Sequence, residues 1–292
     1  MQPAYEDLFF GPGSMGVLTQ AGQFRWEDSQ RRVRVLFAGL TIADSKRVMR
    51  LQEYGRVPVY YFPMEDVRQE VLEATDHHTY SPLKGEASYW TIRVGDRVAE
   101  NAAWSYLSPP PDGPHVKGYV ALYWHLMDAW YEEDEQVYAH ARDPYVRVDI
   151  LPSSRHVRVV LGGQTIAETY RPRLLLETGL PVRYYLPEQD VQMEWLQASE
   201  TTTRCPYKGR AAYWSARVGE SVFRDIVWRY RDPLPACSPI AGLLCFLNER
   251  VDAIYVDDAL LPTPNMPLTP GLPVSAHNRS GRRYGLMPME CT

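Results

Sequence analysis

The sequence predicts a mainly β protein of the α+β type, made of two tandem, similar β-rich domains with one short helix each. The first observation behind this prediction is an internal repeat: residues 33–134 align without a gap on residues 157–258, and 39 of the 102 aligned positions are identical. The second is a series of short alternating apolar stretches, which indicate strands. The third is one short helical stretch in each copy, which favours α+β domains.

Each copy opens with a predicted strand hairpin. In the first copy Val33, Val35 and Phe37 alternate with Arg34 and Leu36, the period of a half-buried strand. The pair Ala38-Gly39 then supplies turn chemistry before the next strand. Upstream, residues 24–26 alternate in the same way, and further strands are predicted at 47–53 and 59–62.

The predicted helix follows at 63–72 in the first copy and 187–196 in the second. A proline opens each stretch, and proline fits a first helical turn because no N–H donor is needed there. Val67, Val71 and Leu72 then fall on one face. Later in each copy come a Gly-Asp or Gly-Glu turn, a strand and a final hairpin, predicted in the first copy at 118–124 and 127–131.

These elements divide the chain into five segments. Residues 1–21 are expected to be irregular; their G-x-G-x-x-G match is followed by no helical stripe, so no dinucleotide-binding unit is predicted. The repeat domains are expected at 22–134 and 146–258, with a linker at 135–145. Residues 259–292 form a proline-rich tail, expected to be extended or disordered.

The composition narrows the functional class. The net charge of −5 and the lack of a Lys/Arg run argue against nucleic-acid binding. No apolar stretch reaches membrane-spanning length, and the first residues do not resemble a signal peptide, so a cytoplasmic protein is expected. The four cysteines form no Cys-x-x-Cys pair and are expected to be reduced thiols with a packing role. Neither a metal nor a cofactor is predicted.

The best candidate site is a Pro-x-Lys-Gly-x-Ala-x-Tyr-Trp frame that occurs in both copies. The proline stiffens the approach, and the glycine after the lysine can take a positive φ, so the turn aims the lysine in a fixed direction. A threonine lies five residues before each lysine. Lysine, threonine and aromatic rings together suit a phosphate or carboxylate that carries a flat group. The predicted ligand-binding residues are Thr79, Lys84, Tyr89, Trp90, Thr203, Lys208, Tyr213 and Trp214.

Two readings of this frame stay open. The lysine could instead be solvated on a tight turn, with the Tyr-Trp pair simply packing. Adjacent residues of a strand face opposite sides, so only one ring of each Tyr-Trp pair can line a cavity.

The recurring Trp104-x-Tyr106 places two rings on one strand face, where core packing is the commoner role. Arg47 and Glu53, which also recur, could pair with each other or hold an anion.

A catalytic set is harder to find. Nucleotidyl transfer would need carboxylates that share a metal and a Gly-Ser phosphate loop, but Gly13-Ser14 is followed by no Asp-x-Asp. His77-His78 is matched by Thr201-Thr202 in the second copy, so a surface role is favoured for this pair. No histidine recurs at the offset. Whether the protein is an enzyme therefore stays open.

At these residues the chain resembles the bacterial family catalogued as domain of unknown function 427, in tandem copies. The resemblance rests on Tyr-Tyr-x-Pro-x-x-Asp-Val, Thr-x-x-Pro-x-Lys-Gly-x-Ala-x-Tyr-Trp and Trp-x-Tyr, and covers roughly residues 31–258. It implies compact β-rich, tent-like domains with one helix, related to folds that hold small cyclic or nucleotide-like ligands in an aromatic cup. The family is sometimes labelled nucleotidyltransferase-like. The second copy, with Cys205-Pro-Tyr-Lys-Gly209, is the closer match.

The resulting hypothesis is a small-molecule-binding protein with one candidate pocket per repeat for a nucleotide-like or anionic ligand. A nucleotidyl-transfer or redox enzyme and a structural or protein-interaction module are the alternatives. Because a tandem chain forms a two-domain arrangement by itself, a monomer with an intramolecular pseudo-dimer is expected, without a nucleic-acid or membrane partner.

Overall fold

A computed structural model describes residues 24–54 and 56–264. It divides the chain into two compact units between Asp143 and Pro144. Each unit consists of a seven-stranded and a four-stranded antiparallel sheet. The predicted fold class, two similar β-rich halves in tandem, is confirmed.

The first unit contains eleven strands among the described residues. They are β1 (Phe24–Asp28), β2 (Val33–Phe37), β3 (Leu40–Ser45), β4 (Met49–Glu53), β5 (Val59–Pro63), β6 (Leu72–Ser81), β7 (Gly85–Val94), β8 (Arg97–Tyr106), β9 (Tyr119–Leu122), β10 (Ala129–Glu132) and β11 (Glu135–Val137). The large sheet has the order β1-β4-β5-β9-β8-β7-β6, and the small sheet has the order β11-β10-β2-β3.

The second unit repeats this plan. Its strands are β12 (Val148–Pro152), β13 (Val157–Leu161), β14 (Gln164–Thr169), β15 (Arg173–Glu177), β16 (Arg183–Leu186), β17 (Leu196–Cys205), β18 (Gly209–Val218), β19 (Ser221–Pro233), β20 (Leu244–Phe246), β21 (Ala253–Val256) and β22 (Ala259–Leu260). The large sheet has the order β12-β15-β16-β20-β19-β18-β17, strand for strand the order of the first unit.

The two faces of the large sheet in the first unit carry different clusters of buried residues. One face packs against the small sheet, and its buried side chains include Tyr60, Phe62 and Ile92. The other face, called here the outer face, carries a second cluster that includes Tyr61 and Tyr89. Because side chains alternate along a strand, the neighbours Tyr60 and Tyr61 contribute to opposite faces. Burial of this much apolar surface is the main stabilising contribution to the unit.

The opening hairpin is confirmed. Strands β2 and β3 pair from Val33↔Ser45 to Phe37↔Leu40. The two turn residues, Ala38 and Gly39, both have positive φ angles, of 50° and 76°. Two consecutive residues with positive φ are typical of a type I′ turn, whose twist matches that of the strands in a two-residue hairpin. The upstream strand at residues 24–26 is also present, as β1 paired with β4.

The predicted helix forms only as short 3-10 turns. In the first unit they cover Met64–Asp66 and Gln69–Val71. Between them Val67 is extended and forms an isolated bridge with Ala43. Pairing with the edge of β3 interrupts the helical hydrogen bonds, although Val67 and Val71 are both buried as their spacing predicts.

The second unit departs from the helical prediction in the same way. Its 3-10 turns cover Glu188–Asp190 and Met193–Trp195. The extended residue between them, Val191, bridges to Ala167.

The predicted final hairpin is wrong. Strand β9 pairs with β5 and β8 in the large sheet, whereas β10 pairs with β2 and β11 in the small sheet. A 3-10 turn, Trp124–Leu126, carries the chain from one sheet to the other. Trp124 stacks on Trp130 with 4.2 Å between ring centroids, which favours this crossing over a tight turn.

The segment boundaries stay predictions. The first residues of the expected linker at 135–145 form strand β11, and the first residues of the expected tail form strand β22. The irregular segment expected at 1–21 and most of the proline-rich tail lie outside the described residues.

Candidate functional site

The Lys-Gly frame forms the tight turn between β6 and β7. Ser81 pairs with Gly85, and the N–H of Lys84 donates to the carbonyl of Ser81 over 3.2 Å. Gly85 has a φ of +86°, and a Cβ at this position would lie 3.2 Å from the carbonyl oxygen of Ser108. The glycine is thus required by both the backbone conformation and the close approach of the next loop.

The turn directs the lysine into the protein. Lys84 is 3% exposed, and its Nζ lies 2.5 Å from Oε2 of Glu53, at the end of β4. In the second unit Lys208 makes the equivalent contact with Glu177. The recurring glutamates were noted in the sequence, where a pair between Arg47 and Glu53 was one of the possibilities. The structure pairs Arg47 with Glu65 and Asp66 instead.

The Lys–Glu contact shows that the large sheet curves. Strands β5, β9 and β8 separate β4 from β7 in the sheet order. A direct contact across them requires the sheet to curl towards its outer face, in keeping with the natural twist of sheets. The ion pair therefore closes one end of a concave surface.

In the second unit, the surroundings of Lys208 determine its charge state. Burial alone would lower the pKa of Lys208, but Cys205 and Glu177 together hold that pKa above its ordinary value. The amine is therefore protonated at neutral pH. A protonated amine is neither a nucleophile nor a general base.

The predicted threonine and tyrosine also meet. Thr79 Oγ1 lies 2.8 Å from the hydroxyl of Tyr89, and Thr203 Oγ1 lies 2.9 Å from that of Tyr213. Burial raises the pKa of Tyr213 to about 12. Its hydroxyl is therefore protonated at neutral pH and held in place by the threonine.

The tryptophans of the frame lie on the opposite face of the sheet. Trp90 packs against the cluster between the two sheets, and Trp214 packs against the core of the second unit beneath the guanidinium of Arg229, 4.5 Å from the ring centroid. Lysine, threonine and tyrosine thus share the outer face, whereas Trp90 and Trp214 do not join them. This separation follows the alternation expected for adjacent strand residues.

Further aromatic side chains lie on the outer face beside the predicted residues. Trp104 is the cross-strand neighbour of Tyr89, and Tyr61 contacts Trp104 edge to face with 6.5 Å between centroids. The ring of Tyr106 lies 5.6 Å from Nζ of Lys84. The Trp-x-Tyr motif, for which core packing was the favoured role, therefore belongs to the same face as the lysine.

At the end of this face away from the lysine, five ring side chains form a series across the sheet, called here the aromatic row. Centroid distances are 4.5 Å for His77–Tyr89, 4.5 Å for Trp104–Tyr123 and 5.6 Å for Tyr123–His125. His77 and His125 are exposed, and Trp104 and Tyr123 are half-buried. The protein atoms around part of the His125 ring remove water from it and lower its pKa, so its imidazole is neutral at pH 7 even though the residue is exposed.

Sequence reasoning missed Tyr123 and His125 because it relied on recurrence. Their counterparts in the second copy are Leu247 and Glu249. The available signal was the cluster Tyr123-Trp-His125 itself, at the end of a predicted strand.

Comparison with protein families now assigns the chain. The sequence profile described as Domain of unknown function (DUF427) matches residues 25–133 and again residues 149–257. The chain belongs to this family. The resemblance inferred from the motifs, including its two tandem copies, is confirmed. No curated protein matches the chain at a significant level.

In the second DUF427 copy, the end of the outer face that corresponds to the aromatic row carries different side chains. There the guanidinium of Arg183 and the carboxylate of Glu249 form two hydrogen bonds, of 2.7 and 2.9 Å. The guanidinium carbon lies 5.6 Å from the ring centroid of Trp228, the counterpart of Trp104. Trp228 is 7% exposed.

Two cysteines of the second DUF427 copy, Cys237 and Cys245, are poor nucleophiles. Cys237 and Cys245 are buried free thiols, and burial raises the pKa of both. A thiol needs a lowered pKa to act as a nucleophile near neutral pH. The packing role expected from the sequence is consistent with these environments.

Glu132, at the end of β10, already has hydrogen-bond partners. Glu132 accepts hydrogen bonds from the hydroxyl of Tyr60 and from Arg31, both over 2.7 Å. Within residues 24–54 and 56–264, no group of three or more His, Cys, Asp or Glu side chains is placed to hold a metal ion. In the same residues, no helix reaches the length and apolar character needed to cross a membrane.

Proposed function

We propose that the first DUF427 copy binds a small molecule through a flat heteroaromatic ring of the nucleobase type, seated on the aromatic row. The observation that carries the proposal is the half-buried pair Trp104 and Tyr123, 4.5 Å apart, on a concave sheet face between two exposed imidazoles. Stacking of a base on an aromatic side chain is worth about 1–3 kcal/mol.

The rim of the row supplies polar recognition. His77 packs against Tyr89, whose hydroxyl is fixed by Thr79. At the other end stands His125, neutral at pH 7. A neutral imidazole offers one donor and one acceptor, which matches the donor and acceptor edge of a heteroaromatic ring. A few polar groups around an apolar floor are typical of small-molecule sites.

The Lys84–Glu53 pair acts in this proposal as a positioning element. The carboxylate neutralises the ammonium, so the lysine does not provide the anion seat suggested by the sequence. It instead ties the β6–β7 hairpin, which carries His77, Thr79 and Tyr89, to β4 across the curved sheet. The ring of the ligand, rather than a phosphate group, then determines affinity.

The test is calorimetric titration of the full chain with adenosine, guanosine, cytidine and uridine, each alongside its 5′-monophosphate. We expect at least one nucleoside to bind, and its monophosphate to bind within about threefold, since the lysine adds no free positive charge. Binding of none of the eight compounds contradicts the proposal.

Two substitutions locate the site. Tyr123→Leu and His77→Thr introduce the residues that the second copy has at these positions. Loss of one stacking ring should weaken binding about tenfold or more. The matched control is His78→Thr, since His78 is the neighbour of His77 in β6 and directs its ring nitrogen to the carbonyl of Ala87. Equal affinity of all three variants would place the ligand elsewhere.

A further inference from the structure

We infer that Arg183 occupies, in the second DUF427 copy, the place over the tryptophan that the ligand takes in the first, so that the Arg183–Glu249 pair closes the second site. This inference rests on the proposed function of the first copy. It makes the protein a binder with one site per chain, although the fold is duplicated.

The frameworks beneath the two tryptophans are the same. Trp104 meets Tyr61 at 6.5 Å and 79°, and Trp228 meets Tyr185 at 6.4 Å and 88°. Each tryptophan also lies beside the tyrosine held by its threonine. The second copy thus retains the tryptophan and the two tyrosines beside it, but it has Leu247 and Thr201 where the first copy has Tyr123 and His77.

A further difference lies above the tryptophan. Arg183 comes from β16 and Glu249 from the loop after β20, and their counterparts in the first copy are Val59 and His125. A guanidinium on an aromatic face is a favourable contact and uses the same ring surface as a stacked base. With Arg183 in place, Trp228 is buried, whereas Trp104 is half-buried.

The Arg183–Glu249 pair is built to stay closed. Both side chains are largely buried, at 14% and 10% exposure, and they meet through two hydrogen bonds. Burial alone would lower the pKa of Arg183, but the hydrogen bonds and charge of Glu249 contribute to holding it above its ordinary value. A bidentate pair of this kind is among the strongest side-chain contacts. A ligand would have to separate two buried charges to reach Trp228.

Asn248 reinforces the closure. It lies directly before Glu249, and its amide nitrogen donates to the carbonyl of Val182, directly before Arg183, over 3.2 Å. The two segments that supply the ion pair are therefore fastened to each other by their neighbours as well. Trp124, the counterpart of Asn248, instead stacks on Trp130 in the first copy.

The experiment converts the second copy to the residues of the first with the double variant Arg183→Val, Glu249→His, made in a Leu247→Tyr, Thr201→His background that supplies the stacking ring and the imidazole of the first copy. The nucleoside that binds the wild type is titrated into both proteins by calorimetry. We expect one site per chain in the wild type and two in the double variant. In a Trp104→Leu background, which removes the first site, the double variant should show one site. The control Arg158→Val, which removes a guanidinium from over Tyr255 on the small sheet, should leave one site.

The outcomes separate the two proposals. A wild type that binds none of the nucleosides overturns the proposed function and this inference together. One site in the wild type and still one in the folded double variant overturns this inference alone. If circular dichroism shows that the double variant is unfolded, Arg183→Ala, Glu249→Gln in the same background, which removes the side chain over the ring and leaves no unpaired buried charge, enters the same titration with the same two outcomes.

Discussion

At the scale of single residues, the protein is marked by charges and hydroxyls buried in apolar surroundings. The pairs Lys84–Glu53 and Lys208–Glu177 occur in both copies with the same geometry. Buried ion pairs cost desolvation, and replacement by apolar residues is often neutral or stabilising. Their presence in both copies therefore suggests a positioning role more than a gain in stability.

The substitution Lys84→Met tests this energetic account. It leaves the Glu53 carboxylate buried without its partner, which should reduce the free energy of unfolding by about 3–5 kcal/mol, as measured by urea denaturation. The double variant Lys84→Met, Glu53→Leu should recover most of the loss. The control is Arg47→Met, which removes exposed ion pairs with Glu65 and Asp66 and should leave the free energy of unfolding close to that of the wild type. A single variant as stable as the wild type would contradict the account.

Because Tyr213 is buried, we expect the protein to lose stability at high pH. The pKa of Tyr213 is about 12 in the folded protein, above the ordinary value near 10, because of burial. The folded state therefore binds the hydroxyl proton of Tyr213 more tightly than the unfolded state does. The stabilisation that results is fully present below pH 10. As the pH rises from 10 to 12, the contribution of Tyr213 to the free energy of unfolding should fall by about 1.4 kcal/mol per pH unit.

The measurement is the unfolding free energy at pH 8, 10 and 11 for the wild type and Tyr213→Phe. The variant lacks this titration, so the difference between the two proteins should shrink as the pH rises. A constant difference would show that the Tyr213 hydroxyl does not titrate differently on unfolding.

At the scale of elements, the β6–β7 turn determines where the lysine points. Gly85→Ala puts a side chain at a φ of +86° and 3.2 Å from the Ser108 carbonyl. The conformational cost alone is about 1–2 kcal/mol, and the close contact adds to it. The control is Gly95→Asn in the β7–β8 turn, where φ is +57° and no atom lies within 4 Å of the added Cβ. Equal thermal midpoints for the two variants would contradict this view of the turn.

Several elements of this fold follow from the sequence, and the others depend on distant partners. The opening hairpin was predictable because Ala38-Gly39 determines it locally. The helical stretch was misassigned because Val67 pairs with Ala43, a contact that periodicity does not contain. The partner of Lys84 was not identified because three strands lie between β4, which carries Glu53, and β7 in the sheet order, and only sheet curvature brings the two side chains together. Tyr123 and His125 were missed because they differ between the copies.

At the scale of the whole molecule, each core closes within its own unit. All members of the second unit's cluster lie between Val148 and Leu261. We therefore predict that the fragment 144–264 folds by itself and shows a cooperative urea transition by circular dichroism, since a domain of this size with its own core can fold alone. A fragment whose signal changes gradually, without a transition, would contradict this prediction.

The buried lysines have one more consequence. The 292 residues contain only four lysines: Lys46 and Lys117 are exposed, whereas Lys84 and Lys208 are 3% and 9% exposed. An amine-acylating reagent should therefore modify the first two rapidly and the other two only when a Lys-Gly hairpin opens. Because each unit contains one protected amine, the acylation rates of Lys84 and Lys208, read by mass spectrometry, would report the opening of the two units separately within one intact chain.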